Sequence, residues 1–245
     1  MQIEKVYKVY ENVLNMVRKQ AIILTSGGLD SSVLAYYAKK KYKKIKLLFF
    51  DYNQKARKEE IFCVKLLAKK LKCKLEIINL RWLGKISTSL INTNKKTGKE
   101  ELIKWYVPCR NSLFIIAGLA FAESEFIRNK IESDILLGIK YEGEIRFKDT
   151  TPEFLRDINK LTKHTQKGNF EIKAHFINKD KEDIIELSKR LGVNLEYTYS
   201  CYLGGGFAEI NGKRIPIHCG KCAGCKARQK GFYFSNVRDI SVYKS

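Results

Sequence analysis

Apolar runs at 21–24, 45–50 (interrupted by Lys46) and 135–138, and a fourth strand-like segment at 75–78, are separated by stretches of helical period. A strand with one wet face alternates polar and apolar residues, whereas one that is apolar throughout has both faces covered. Such runs alternating with helices specify a doubly wound α/β fold, a parallel sheet with helices on both sides. The helical stretches agree: Val33, Leu34, Tyr37 and Ala38 share one face after the first run, and Ile61, Val64, Leu67, Ala68 and Leu71 share one after the second. Further helices are expected from Asn111 to about Glu125 and from Asp180 to Leu191. Val6, Tyr10, Val13 and Val17 mark an N-terminal amphipathic helix. Ser87–Glu101 reads as a polar loop, and Tyr141–His175 as loops and short helices over an active site. With 245 residues and 44% hydrophobic content, the chain can bury one such core.

No apolar stretch approaches the roughly 20 residues of a membrane span, and the first 20 lack a continuous apolar signal segment, so a cytoplasmic location without membrane contact is expected. The charge is uneven, with 47 basic against 26 acidic residues for a formal +21. That favours polyanionic partners such as RNA or a nucleoside triphosphate. Much of the excess is lysine on helix surfaces (Lys39–Lys41, Lys43, Lys44, Lys69, Lys70, Lys72, Lys74), a pattern also found in proteins from hot habitats.

The segment Leu24-Thr25-Ser26-Gly27-Gly28-Leu29-Asp30-Ser31-Ser32 falls where a strand gives way to a helix. Open α/β sheets bind ligands at that place, beyond the carboxyl ends of their strands. Two glycines let the backbone turn sharply towards an anion, and hydroxyls and amides at a helix start donate to phosphate oxygens. No Gly-Lys-Ser/Thr follows, so this is not a Walker loop. As a bare turn it equally fits a capped helix with Asp30 or Ser31 near the N-cap.

Of the seven cysteines, Cys219, Cys222 and Cys225 are three residues apart and Cys201 lies upstream. Four thiolates can close a tetrahedral structural zinc site. An iron–sulfur cluster and unligated thiols are the alternatives, and His218, beside Cys219, is a substitute ligand that four thiols make unnecessary. Cys63, in an apolar helical pattern, reads as a small buried hydrophobe, and Cys73 and Cys109 are scattered.

The string Ser-Gly-Gly-Leu-Asp-Ser resembles the signature of the PP-loop ATP pyrophosphatases, which cleave ATP between its α and β phosphates. Three further landmarks narrow the likeness. Phe50-Asp51-Tyr52-Asn53-Gln54 is similar to Phe-Asp-Tyr-Gly-Gln, Val107-Pro108-Cys109-Arg110-Asn111 is similar to Val-Pro-Gly-Arg-Asn, and Ser200-Cys201-Tyr202 precedes Cys-Gly-x-Cys-x-x-Cys. Together, over about residues 21–230, they resemble the 7-cyano-7-deazaguanine synthase family of queuosine and archaeosine precursor biosynthesis. The resemblance implies an ATP-dependent C–N ligase. Its substrate 7-carboxy-7-deazaguanine is adenylated, ammonia displaces AMP to give an amide, and a second ATP activates the amide for dehydration to the nitrile. It implies that Leu24, Thr25, Ser26, Gly27, Gly28, Leu29, Asp30, Ser31 and Ser32 hold ATP with Mg2+, and that Asp51 and Gln54 sit beside the nucleotide. Asp30, Ser31 and Arg110 would be catalytic, Arg110 and Asn111 would bind substrate, and Cys201, Cys219, Cys222 and Cys225 would bind Zn2+. Homodimers are common in the family.

Two family glycines are replaced, by Asn53 and Cys109; asparagine tolerates positive φ better than most residues, and cysteine does not. Cys109 reads either as a thiol in the pocket or as a buried neighbour of the motif. Lys140–Thr151 stands where many members carry a Tyr- and Gly-rich stretch ending in Asp-Cys-Arg. Two rival functions accompany this reading: a PP-loop enzyme that adenylates a tRNA base, which the charge suits but the cysteine spacing does not favour, and a non-catalytic, zinc-stabilised nucleotide-binding protein. Two units are expected, 1–190 as the nucleotide-binding domain with its N-terminal helix, and 191–245 as a zinc-binding segment packed on it.

Overall fold

The computed structural model describes residues 20–86, 106–141 and 147–244. The expected N-terminal helix, the loop at Ser87–Glu101 and residues 142–146 lie outside these.

The first half alternates as the apolar runs require: β1 (Gln20–Leu24), α1 (Leu29–Lys41), β2 (Lys44–Asp51), α2 (Arg57–Leu71), β3 (Lys74–Asn79) and a short α3 (Arg81–Ile86). Then come α4 (Arg110–Asn129), β4 (Ser133–Leu137), α5 (Pro152–Asn159), β5 (Glu171–Lys173) and α6 (Lys181–Leu191). The five strands form one parallel sheet in the order β3-β2-β1-β4-β5. Every residue of β1 and β4 is buried, the condition that produced their unbroken apolar runs.

The side chains of β1 divide between two cores. Ala21 and Ile23 join residues of α1, α2 and α6, whereas Ile22 and Leu24 join residues of α3, α4 and α5. Alternate side chains of a strand point to opposite faces, so helices on both sides are the direct consequence. α6 starts at Lys181 behind Asp180, which closes a capping box with Asp183, and it ends on Gly192 at φ 68°.

The chain adds structure where the sequence reads as loop. β5 lies inside Tyr141–His175, but three residues with charged ends, Glu171 and Lys173, carry no period that could reveal it. Lys173 instead bridges Asp134 and Glu171, at 2.9 Å each. α4 runs to Asn129, beyond the expected end near Glu125, because Phe126 extends its apolar face to meet Phe170 edge-on. The cysteine-rich C-terminal stretch holds an antiparallel pair, β6 (Phe207–Ile210) and β7 (Lys213–His218), then α7 (Ala223–Phe234) and β8 (Val242–Tyr243). Among the described residues, no helix is long and apolar enough to cross a membrane.

β1 is central, and the connections that leave it and return beside it run to opposite sides of the sheet. The crevice beyond the carboxyl ends of β1 and β4 is therefore the switch point at which such sheets bind ligands.

Candidate active site

A cavity of about 370 Å³ opens at that switch point. Its floor is the turn after β1. Gly27 has φ 74°, and a Cβ there would come within 2.8 Å of the Glu60 carbonyl oxygen, so only glycine fits. The N-cap of α1 is Gly28, with no capping side chain; Asp30 and Ser31 lie near it, in the first turn. The turn's hydroxyls face its own amides: Ser31 Oγ accepts from Ser26 N at 3.3 Å, Ser26 Oγ from Gly28 N at 3.2 Å, and Thr25 Oγ1 from Gly27 N at 3.3 Å. Three backbone donors and a helix start are thus gathered where an anion's oxygens can replace the hydroxyls. Leu24, Thr25, Ser26, Gly28, Leu29, Asp30 and Ser31 line the cavity, whereas Gly27 and Ser32 stand behind its wall.

Lys181, the first residue of α6, reaches across this turn and places Nζ 2.8 and 2.6 Å from the two Asp30 carboxylate oxygens. Both residues line the cavity. The pair brings a cation to the phosphate-shaped turn, a role that no local pattern around Lys181 announces.

After β2 the chain folds into a tight turn with Asn53 at φ 65°. Gln54 holds it: its Oε1 accepts from Tyr52 N at 3.1 Å, and its Nε2 donates to Phe50 O at 3.1 Å and to Glu60 Oε2 at 2.7 Å. Asp51 does not line the cavity. Burial pushes its pKa up, but hydrogen bonds from Arg57, Asn53 and Arg81 outweigh this and hold it below the usual carboxylate range. Glu60 does line the cavity, and burial raises its pKa to about 7 against the opposing pull of Gln54 and Arg110.

The start of α4 supplies the opposite wall. Cys109 is its N-cap at φ 52° and ψ 20°, a left-handed conformation, so both positions where the resemblance implied glycine have positive φ in this chain. Cys109 is exposed and does not line the cavity, which places it neither as a buried neighbour nor as a thiol in the pocket. Arg110 and Asn111 do line it, and Asn111 Nδ2 donates to Asp149 O at 3.2 Å. Burial works against the Arg110 charge, but Tyr52, Tyr202 and Asp149 beside it more than offset that and raise its pKa. The aromatic faces are Phe50 stacked on Phe114, centroids 4.0 Å apart, and Tyr106 nearly parallel to Phe147 at 6.3 Å.

The last wall is Tyr199–Tyr202, which joins the cavity to the cysteines. Tyr199 N donates to Gly27 O at 2.8 Å. The thiols of Cys201, Cys219, Cys222 and Cys225 all lie within 4.8 Å of one another. Sulfur separations of 3.5, 3.9 and 4.0 Å approach the edge of about 3.8 Å that zinc–sulfur bonds of ~2.3 Å give a tetrahedron. Backbone amides of Tyr202, Cys219, Lys221 and Cys222 donate to these sulfurs at 3.4 Å each, which suits thiolates. The set could hold a metal ion. His218 stays outside it: its Nε2 accepts from Ser200 N at 3.2 Å, and burial lowers its pKa to about 4. Gly224 opens α7 against this wall, where a Cβ would lie 2.1 Å from the Ser200 carbonyl oxygen.

The sequence motifs found the phosphate turn, the start of α4 and the thiols, but they missed Lys181 and Glu60, which carry charge into the cavity from helices without a signature. Comparison with known proteins covers the same span. The family model described as queuosine biosynthesis protein QueC matches residues 20–236. A 7-cyano-7-deazaguanine synthase of Methanosphaera stadtmanae is 32% identical over 93% of this chain and 100% of its own length. Those of Nitratiruptor sp. (34%, covering 92% and 99%) and Pyrococcus horikoshii (30%, covering 92% and 97%) are similarly related.

Proposed function

The chain belongs to the queuosine biosynthesis protein QueC family, and on that premise we propose that it converts 7-carboxy-7-deazaguanine, ammonia and ATP into 7-cyano-7-deazaguanine. The observation that carries this reading is the joining of the phosphate turn and the cysteine cluster in one cavity wall, through Tyr199–Tyr202.

The carboxylate is a poor electrophile, so it first attacks the α phosphorus of ATP and expels pyrophosphate. Ammonia then adds to the acyl adenylate and AMP leaves, giving the amide. The amide oxygen attacks a second ATP in the same way, and loss of AMP with a proton leaves the nitrile. In this reading Ser26, Gly28 and Ser31 surround the departing pyrophosphate, and Gly27 and Ser32 support the turn from behind. Leu24, Thr25, Leu29 and Gln54 shape the nucleotide side, with Asp51 supporting it from behind. Mg2+ would neutralise the phosphates, and Asp30, with Lys181, stands at the reacting end. Stabilisation of the transition state is chiefly electrostatic, from groups already aimed before the reaction. Arg110 and Asn111 face the acid being activated. The four cysteines fit Zn2+ in a closed structural site, which would fix the 199–202 wall and supply no chemistry of its own. Residues 1–190 then act as the nucleotide-binding domain and 191–245 as the zinc-binding segment packed on it.

The test is mass spectrometry of the protein incubated with ATP, magnesium, ammonium and 7-carboxy-7-deazaguanine. AMP together with the nitrile is the expected result. AMP only after tRNA is added would transfer the activity to the tRNA-modifying rival, and no AMP under any condition would favour the non-catalytic one.

A further inference from the structure

Glu60 and its neighbour Glu59 sit side by side on α2 and do different things. Glu59 is buried and turned away from the cavity, where its Oε1 accepts from Gly205 N at 3.1 Å and Gly206 N at 2.7 Å. Glu60 lines the cavity. Among the described residues the hydrogen bond to its carboxyl comes from Gln54, at 2.7 Å, which clamps Oε2 and fixes the group's direction. Gln54 is itself pinned by two backbone groups of the β2 turn. Arg110 lines the same cavity and hydrogen-bonds with Tyr52, and its positive charge is felt at Glu60. The Glu60 backbone abuts the phosphate turn at Gly27. Gln54 meets Oε2 alone among the described residues, and a buried carboxylate is costly unless its remaining acceptor sites are met, so its placement in the cavity wall implies a ligand that supplies N–H. Nothing in the ATP chemistry above uses it.

A guanine-type ring presents three neighbouring groups: O6 as acceptor, N1–H as donor and the 2-amino group as donor. In the deazapurine the C7 carboxyl lies beside O6, where guanine has N7. A guanidinium spans two acceptors in that arrangement, and it is the usual partner of the O6/N7 edge. A carboxylate accepts two parallel N–H bonds equally well. An adenine edge does not match the ionised carboxylate, because its N1 is an acceptor and would face an acceptor oxygen.

Building on the function proposed above, we infer that Glu60 and Arg110 together read the deazaguanine ring, Glu60 accepting from N1–H and the 2-amino group while Arg110 bridges O6 and the C7 carboxylate. One cavity thereby keeps its two heterocycles apart, since the ring that matches Glu60 is the one to be adenylated. Arg110 delivers the carboxylate to the phosphate turn as it recognises the ring.

The experiment compares 7-carboxy-7-deazaguanine with the analogue lacking only the 2-amino group, 7-carboxy-7-deazahypoxanthine, in the intact protein and in Glu60→Gln and Glu60→Asp. For the unaltered protein we expect kcat/KM to favour the guanine substrate by about 10- to 100-fold, the worth of one hydrogen bond to a charged group. Glu60→Gln should raise KM for the guanine substrate and reduce the preference to under about threefold, with KM for ATP unchanged; Glu60→Asp should recover part of the preference. Turnover in which Glu60→Gln keeps the full preference overturns this assignment and leaves the reaction standing. If the unaltered protein neither turns over 7-carboxy-7-deazaguanine nor binds the nitrile in calorimetry, the assignment and the reaction fall together.

Discussion

Asp30 meets the Lys181 ammonium with both of its oxygens at the lip of the phosphate turn. The pair is partly exposed, at 22% and 18% of side-chain surface, so it adds little to stability and its consequence is positional. Asp30→Ala should lower ATP cleavage at least about 100-fold, as loss of a preorganised charged group does, with the circular dichroism spectrum unchanged. Retained turnover would place the phosphates elsewhere. Cys109 answers a different question. A non-glycine residue in the left-handed region costs about 1–2 kcal/mol, and Cys109 makes no part of the cavity wall. Cys109→Gly should therefore keep nitrile formation and raise the unfolding free energy by up to about 1 kcal/mol, net of the freedom glycine adds to the unfolded chain. Complete loss of activity would show that the thiol takes part in the chemistry. The sequence could announce such positions only through short strings with a known spacing. Ser26–Ser32 and the four cysteines have one; Lys181 and Glu60 lie in ordinary amphipathic helices, and only tertiary packing turns them into the cavity.

The same limit operates on elements. β1, β2 and β4 were legible because burial keeps the runs 21–24, 47–50 and 135–137 apolar, and α1, α2 and α6 because each carries buried apolar residues at helical spacing. β5, with three residues, and the short α3 leave too few positions for any period. α7 is hidden for another reason. Its sequence, AGCKARQKGFYF, serves three neighbours at once: Cys225 joins the thiol cluster, Phe232 enters the sheet's core, and Arg228 points into the protein. The Arg228 guanidinium is 1% exposed, and it donates to Thr198 Oγ1, Ser200 Oγ, the Leu195 carbonyl and Ser241 Oγ at 2.7–3.2 Å. It ties α7 to the strand of chain that becomes the cavity wall. Arg228→Ala would leave four acceptors and a cavity behind. We expect a loss of about 3 kcal/mol in denaturant unfolding, well above the effect of an exposed arginine. A loss under about 1 kcal/mol would mean that the network is not what holds α7.

At the scale of the molecule, one lysine cluster and the site lie at opposite edges of the sheet. The exposed lysines 39–41, 43, 44, 69, 70, 72 and 74 gather where α1 and α2 end and β2 and β3 begin, at the amino edge of the sheet, whereas the cavity lies at the carboxyl edge. These nine lysines do not line the cavity, whose lining cations among the described residues are Lys181 and Arg110. The cysteine cluster stands nearer: Cys201 is at once cavity wall and candidate metal ligand. Metal analysis should accordingly find about one zinc per chain, and iron, or no metal in folded protein, would remove zinc from the proposal. Chelation, or Cys222→Ser, should lower the melting temperature by about 10 °C, as the loss of a few kcal/mol does in a chain of this size. The two KM values separate a local from a general effect. The phosphate turn is built on β1 and α1 and has its own hydrogen bonds, so KM for ATP should change little while KM for the deazapurine rises severalfold. Equal losses in both would mean that the cluster supports the whole fold and not the 199–202 wall in particular.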